Sequence, residues 1–339
     1  MRRAARVASL GSIALAASVA TTGSALALPR VAEAYHRPWE VRSELRRLER
    51  EHPDLVRVSV IGRSHEGQDI LMAKVSDQPG IDEDEPEVFL NARIHAREHI
   101  TTEQALVLLD WLTDGYATSS RIRRIVDRTE VFIVPDLNPD GARFDLKGPR
   151  YKGWRKNRQP NRGAKGTDLN RNFGYRWGCC GGSDPWPSSN LYRGPRRFSA
   201  PEARIVRDLV GSREFVAAIS LHSYGGQVLW PYGYTTRDRP SDMPVSLHRT
   251  LRRLARGIAS RNGYRPMQAS SLYRTSGSFM DWATGVHRLP ALTIELMPRT
   301  SAAGGFYLPP SRIRPVTSRN RDALLWFLEQ AQDLPVPGS

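Results

Sequence analysis

The sequence predicts an α/β fold, a single globular domain in which a central twisted sheet is flanked by helices on both faces. Three observations point there. Short apolar runs rich in β-branched residues alternate with stretches of helical periodicity, the pattern of strands and helices layered together. Several of those runs end on a histidine or a glutamate, and α/β sheets gather their ligands at the carboxyl ends of strands. The 339 residues show no internal repeat and no long linker, so one large core accommodates them.

The first residues stand apart. Arg2, Arg3 and Arg6 precede an uncharged apolar stretch over 7–20, and Ala25-Leu26-Ala27 matches a small-residue cleavage site. Residues 1–27 therefore read as a secretory signal peptide, and the mature protein is expected outside the cell. The apolar stretch is short for a membrane span, which needs roughly 20 residues, so no stable membrane association is expected after cleavage. A short segment over 28–34 leads to a folded domain over 35–333 and a tail over 334–339.

Within the domain, Trp39, Val41, Leu45 and Leu48 recur at helical spacing and predict a helix over 35–51. Strands follow over 56–61 and 70–75, around a turn at 64–67. An acidic loop covers 77–87, and a short apolar strand over 88–91 runs toward His95. Thr101 begins a helix, with Gln104 three residues on in a capping-box arrangement. Residues 131–135 form a strand stopped by Asn138-Pro139-Asp140-Gly141, which reads as a turn. From 142 to 198 the chain is rich in Gly, Arg, Asn, Pro and Ser without periodicity, a length of loop that compact domains reserve for function. A helix from 201, a strand from 215, a helix from 244, a strand from 291 and a last amphipathic helix over 318–332 complete the series.

Fifty Lys and Arg against 35 Asp and Glu give a net charge of +15; three of the arginines fall in 1–27, leaving 47 against 35, or +12. No basic repeat interleaved with aromatics and no nucleic-acid module is visible, so the charge reads as an arginine-rich solvated surface and nucleic acid is not an expected partner. The only cysteines, Cys179 and Cys180, are adjacent. They cannot staple the fold. Within the chain they can pair only with each other, and Gly178, Gly181 and Gly182 would give the backbone freedom to allow it. Two free thiols is the alternative.

The segment His95-Ala96-Arg97-Glu98-His99 carries the strongest chemical hint. A histidine and a glutamate three apart can bind one small cation, and zinc accepts both ligand types while a catalytic site keeps a position for water. Two arrangements fit. In one, His95 and Glu98 are joined by a distant histidine. In the other, an inverted zincin, His95 and His99 bind the metal and Glu98 is the base. His222 and Glu295 each close another apolar run. Taken singly, the first could be a core histidine and the second a partner for an arginine.

Several separated motifs, in matching order, resemble the M14 zinc carboxypeptidases of the carboxypeptidase A and B type, from about residue 35 to about 332. His95-Ala96-Arg97-Glu98 resembles the first metal motif, Leu221-His222-Ser223-Tyr224 the third-ligand segment, and Thr293-Ile294-Glu295-Leu296 the strand of the general base. Gly153-Trp154-Arg155-Lys156-Asn157-Arg158 is similar to the segment of the oxyanion arginine, and Asp168-Leu169-Asn170-Arg171-Asn172 to the grip on the substrate's terminal carboxylate. Tyr273-Arg274-Thr275-Ser276-Gly277 is similar to the mobile tyrosine loop.

The resemblance implies a mixed parallel and antiparallel sheet and a single Zn2+ held by His95, Glu98 and His222. It implies Glu295 as general base and Arg155 as oxyanion stabiliser. Arg97, Asn170, Arg171, Tyr273 and Met280 would contact the substrate, and Asp168 would orient His95. The implied reaction is hydrolysis of the C-terminal bond of peptides or proteins by a monomeric secreted enzyme. Met280 at the specificity position, where members that cleave basic residues carry an acid, implies apolar or aromatic C-terminal residues. Two departures stand out: His99 takes the place of a common Trp, and Met297-Pro298-Arg299-Thr300 lacks the usual acid. A cell-wall peptide hydrolase of related fold and an inactive zinc- or peptide-binding module are the alternatives. The first is separable by its indifference to a free C-terminus, and the second by loss of the base or the oxyanion arginine.

Overall fold

The computed structural model describes residues 35–337. The expected leader over 1–27, the segment over 28–34 and the last two tail residues lie outside them. In chain order the elements are α1 (Pro38–Glu51), β1 (Val56–Arg63), β2 (Asp69–Val75), β3 (Glu87–Asn91), α2 (His99–Tyr116), α3 (Ser120–Val126), β4 (Glu130–Val134) and α4 (Pro139–Asp145). A two-stranded ribbon, β5 (Pro160–Asn161) and β6 (Ala164–Lys165), interrupts the long loop. Then come α5 (Pro201–Gly211), β7 (Phe215–Ser223), β8 (Gln227–Trp230), α6 (Val245–Asn262), β9 (Arg265–Gln268), α7 (Phe279–His287), β10 (Ala291–Leu296), α8 (Pro310–Ser318) and α9 (Arg321–Ala331).

Eight strands form one mixed sheet in the order β1-β2-β4-β3-β7-β10-β8-β9. The four at its centre, β4, β3, β7 and β10, are mutually parallel and buried along their whole length. That is why they read as continuous apolar runs rather than alternating ones. Strand pleating still sorts their side chains. Val88 and Leu90 of β3 join the apolar cluster of α2 and α9, with Leu108, Leu112 and Phe327. Phe89 between them joins the opposite cluster with Val206 of α5 and Phe279 of α7. Helices therefore cover both faces.

The chain leaves β3, adds β4 on one side and later returns to add β7 on the other. A sheet that reverses direction in this way opens a crevice at the carboxyl ends of the two strands flanking the reversal. Here those are β3 and β7, just before His95 and at His222.

Three local expectations need correction. Asn138-Pro139-Asp140-Gly141 starts α4 rather than a turn. The Asn138 side chain caps the helix by accepting from the Gly141 N–H at 3.1 Å, and Pro139 supplies the preset φ of a first helical residue. The second helix begins at His99, with Glu98 as its cap residue, so Thr101 lies inside the first turn and its hydroxyl donates back to the Glu98 carbonyl at 2.6 Å. The last helix, α9, starts at Arg321 rather than 318, and a further helix, α8, precedes it. They part at the buried Asn320, whose amide donates to Gln104 at 3.0 Å and accepts from the Asn262 side chain at 3.1 Å. Among the described residues no helix is long and apolar enough to cross a membrane.

Candidate active site

The loop after β3 is fixed before it reaches His95. Arg93, fully buried, takes a positive φ of 50° and pairs with Asp136, its Nε donating to Oδ1 at 2.9 Å. The Asn138 amide donates to the carbonyls of Ile94 and Lys156, each at 3.2 Å, and Ala96 N–H donates to the Arg155 carbonyl at 3.0 Å. These bonds tie the His95 segment to the Arg155 segment although about sixty residues lie between them.

His95, Glu98 and His222 converge as a buried group whose possible ligand atoms all lie within 4.8 Å of one another. The Nδ1 of His95 is 2.8 Å from Glu98 Oε1, and the Nδ1 of His222 is 3.0 Å from Glu98 Oε2. The Ser223 N–H also donates to Glu98 Oε2, at 3.1 Å. Burial raises the Glu98 carboxyl, but the two imidazoles outweigh it and hold it below the usual carboxylate range. Two nitrogens and a carboxylate oxygen, buried and converging, match the donor set of a catalytic zinc site with three protein ligands.

Around this centre the other expected residues fall as follows. Asp168, fully buried, faces His95 Nε2 at 3.1 Å with one oxygen and accepts from Arg155 Nε at 2.9 Å with the other. Burial would raise its pKa, yet the guanidinium and the imidazole hold it well below normal. Arg155 keeps its buried Nη2 without a hydrogen-bond partner. Glu295 lies in register with His222 on the neighbouring parallel strand, so both project to the same side of the sheet. Burial, helped by the Glu98 charge and opposed by His222, raises its carboxyl to about 7.

Asn170 and Arg171 sit on the helical turn Leu169–Arg171. The Asn170 Oδ1 accepts from the Phe279 N–H at 2.9 Å and its Nδ2 lies 3.3 Å from His222 Nε2. Arg171 donates from Nε to the Gly182 carbonyl and from Nη1 to the Asn170 carbonyl at 2.8 Å. Arg97 lies over the Phe306 ring, 4.1 Å from its centroid, and donates to the Gly153 carbonyl at 3.3 Å. Tyr273 is half exposed on the rim. Met280 is buried near the start of α7, in the same apolar cluster as Leu229.

His99, the other ligand candidate, is directed elsewhere. It is fully buried, its Nε2 lies 2.8 Å from Asp145 Oδ2, and the rings of Tyr35, Tyr151 and Tyr307 surround it. As the first residue of α2 it joins Asp145 and these tyrosines rather than the group of His95, Glu98 and His222. Phe306, the Ser223 N–H and the Gly182 carbonyl are site features that the sequence reading missed. The last two act through main-chain atoms, which carry no residue-type signal.

Comparison with known proteins covers most of the described chain. A family model described as zinc carboxypeptidase matches residues 41–323. A zinc carboxypeptidase of Saccharothrix mutabilis subsp. capreolus is 42% identical over 306 residues, covering 89% of this chain and 70% of that protein. A zinc carboxypeptidase of Simulium vittatum is 33% identical, covering 88% and 97%. Among solved structures, thrombin activatable fibrinolysis inhibitor superposes with a TM-score of 0.80 at 29% identity, covering 88% of this chain and 75% of that one. Carboxypeptidase A from Helicoverpa armigera gives 0.76 at 26%, covering 88% and 73%.

Proposed function

The chain belongs to the zinc carboxypeptidase family, and from that premise we propose that it removes single C-terminal residues from peptides and proteins outside the cell. One observation carries the reading. The buried His95, Glu98 and His222 converge beside a carboxylate, Glu295, in register with His222, and a guanidinium, Arg155, whose Nε is bound to Asp168 while its Nη2 has no partner. A zinc ion bound by His95 Nδ1, Glu98 and His222 Nδ1 would acidify an attacking water and polarise the scissile carbonyl.

The chain's own groups do the rest. Glu295, buried and in register with His222, would accept the water's proton and return it to the leaving amine. Arg155 has its Nε committed to Asp168, which leaves Nη2 to donate to the developing oxyanion from a position already paid for in desolvation. Arg97 can reach the same region from above Phe306. The fork of Arg171 and the amide of Asn170 would hold the terminal carboxylate. Tyr273, exposed on its loop, would close over the bound residue. The apolar setting of Met280 and Leu229 supports an apolar or aromatic C-terminal residue.

The test is a set of blocked peptides differing only in the last residue, each with a free and an amidated C-terminus, assayed with and without a chelator. Turnover is expected only on free termini and only with metal. Cleavage of amidated peptides, or activity that survives zinc removal, refutes the reading. Secretion after cleavage near Ala27 is expected from the leader, and the N-terminal sequence of the exported protein checks it. Sedimentation checks the expected monomer.

A further inference from the structure

The loop that carries the two cysteines packs against the groups assigned to carboxylate recognition. Cys179 and Cys180 are joined in a disulfide. Cys180 has a φ of 62°, followed by Gly181 at 83° and Gly182 at 77°. Side chains rarely adopt that left-handed region, and glycine adopts it freely. The covalent ring through the Cys179–Cys180 peptide restricts where Cys180 can go, and it therefore fixes the start of the run that follows. At Gly182 the fit is close. A Cβ there would stand 2.0 Å from the Arg274 carbonyl oxygen and 2.7 Å from the Thr275 Cα. The Gly182 carbonyl accepts from Arg171 Nε at 2.5 Å, and the hydroxyls of Ser183 and Ser276 are 2.8 Å apart. One short loop thus touches both the arginine proposed to bind the carboxylate and the loop of Tyr273.

We infer that the Cys179–Cys180 disulfide is a positioning element for recognition of the substrate's C-terminal carboxylate. It sets the Gly182 carbonyl, which fixes the Arg171 guanidinium by its Nε edge and leaves the Nη donors not bound to Asn170 to serve the carboxylate. The same loop seats Tyr273 through Arg274, Thr275 and Ser276. Without the bond Cys180 is free to leave the left-handed region, the two glycines offer no resistance, and the Gly182 carbonyl shifts off Arg171. Recognition of the carboxylate loosens while Glu295, Arg155 and the metal ligands, on other elements, stay in place. The inference rests on the carboxypeptidase reading above.

The experiment uses the zinc-loaded protein and one good free-terminus peptide, with kcat and KM measured for the unaltered chain, Cys179→Ser/Cys180→Ser, Arg171→Met and the combination. A hydrogen bond to a charged group predicts roughly a tenfold rise in KM for the cysteine pair. Its kcat should stay within about twofold and its zinc content unchanged. In the Arg171→Met background the cysteine changes should add clearly less than they do alone, the remainder acting through the loop of Tyr273, which a merely structural role would not produce. Unchanged KM in a folded, zinc-loaded cysteine variant, or losses that multiply with Arg171→Met, overturns the inference. If that variant does not fold, the native protein is treated with a water-soluble phosphine. Water and the phosphine then convert the disulfide to two thiols and a phosphine oxide, and KM is read directly after the thiols are counted. There too a rise in KM supports the inference and an unchanged KM overturns it. An unaltered chain that turns over no free-terminus peptide refutes the carboxypeptidase reading itself, a result separable from all of these.

Discussion

Replacing Asp168 by Asn probes the centre at the point where most of it meets. The carboxylate is fully buried and accepts from Arg155 Nε, faces His95 Nε2 and accepts from the Asn170 N–H at 3.0 Å. A histidine that offers its Nδ1 lone pair to a metal carries its proton on Nε2, so this position needs two accepting oxygens. Asparagine brings one, and its amide must meet either Arg155 or His95 donor to donor. Its neutral side chain also leaves the buried guanidinium unpaired. Breaking a buried pair from one side costs about 3–5 kcal/mol of folding stability, and loss of a histidine's carboxylate partner weakens metal binding by roughly 10–100-fold. Urea unfolding of the metal-free protein at pH 7 measures the first, and a competitive zinc titration the second. The pH dependence has a fixed sign. The Asp168 carboxyl is held well below its ordinary value, so its contribution is full at neutral pH and is lost only as the pH falls through the folded value. The variant should therefore differ from the parent least in strong acid. Stability within about 1 kcal/mol of the parent, with unchanged zinc affinity, would refute the argument.

Four further outcomes are expected. Glu295→Gln should keep zinc and lose at least about 100-fold in kcat, seen in metal analysis beside steady-state kinetics. With the carboxyl at about 7 in the metal-free chain, and with bound metal shifting it downward, kcat/KM of the loaded enzyme should fall tenfold per pH unit on an acid limb at or below pH 7; a kcat/KM that rises as the pH falls below 7 contradicts Glu295 as base. His222→Ala should abolish stoichiometric zinc, whereas His99→Ala should keep zinc and lose about 1.5–3 kcal/mol of stability by removing the buried hydrogen bond to Asp145. Met280→Asp should shift preference toward basic C-terminal residues, read as a reversal of kcat/KM between peptides ending in Phe and in Arg.

The sheet was legible because its central strands are buried on both faces, and long apolar runs such as 215–221 have few other homes. The two histidines and Glu295 stood out because they close those runs. The short strands β8 and β9 carry too few residues to show a period. Helix α4 was hidden because Asn138 and Pro139 serve a helix start as well as they serve a turn. The stretch from 142 to 198 is held largely by side chains bonding to main chain. Asn172, for instance, donates to the carbonyls of Arg193 and Arg196 and accepts from the Ala200 N–H. Such order leaves no periodicity to read. The roles of Arg155 and Arg171 were out of reach of composition in a chain with so many arginines, and came only from motif resemblance.

The sheet order also bears on when the protein becomes able to act. Strand β10 is the last of the sheet to be synthesised, yet it is inserted between β7 and β8 rather than added at an edge. It brings Glu295 into register with His222 in the same step. Until that strand docks, His95, Glu98 and His222 lack Glu295, the proposed base, beside them. On the proposed reading, hydrolysis therefore depends on the sheet strand that is made last.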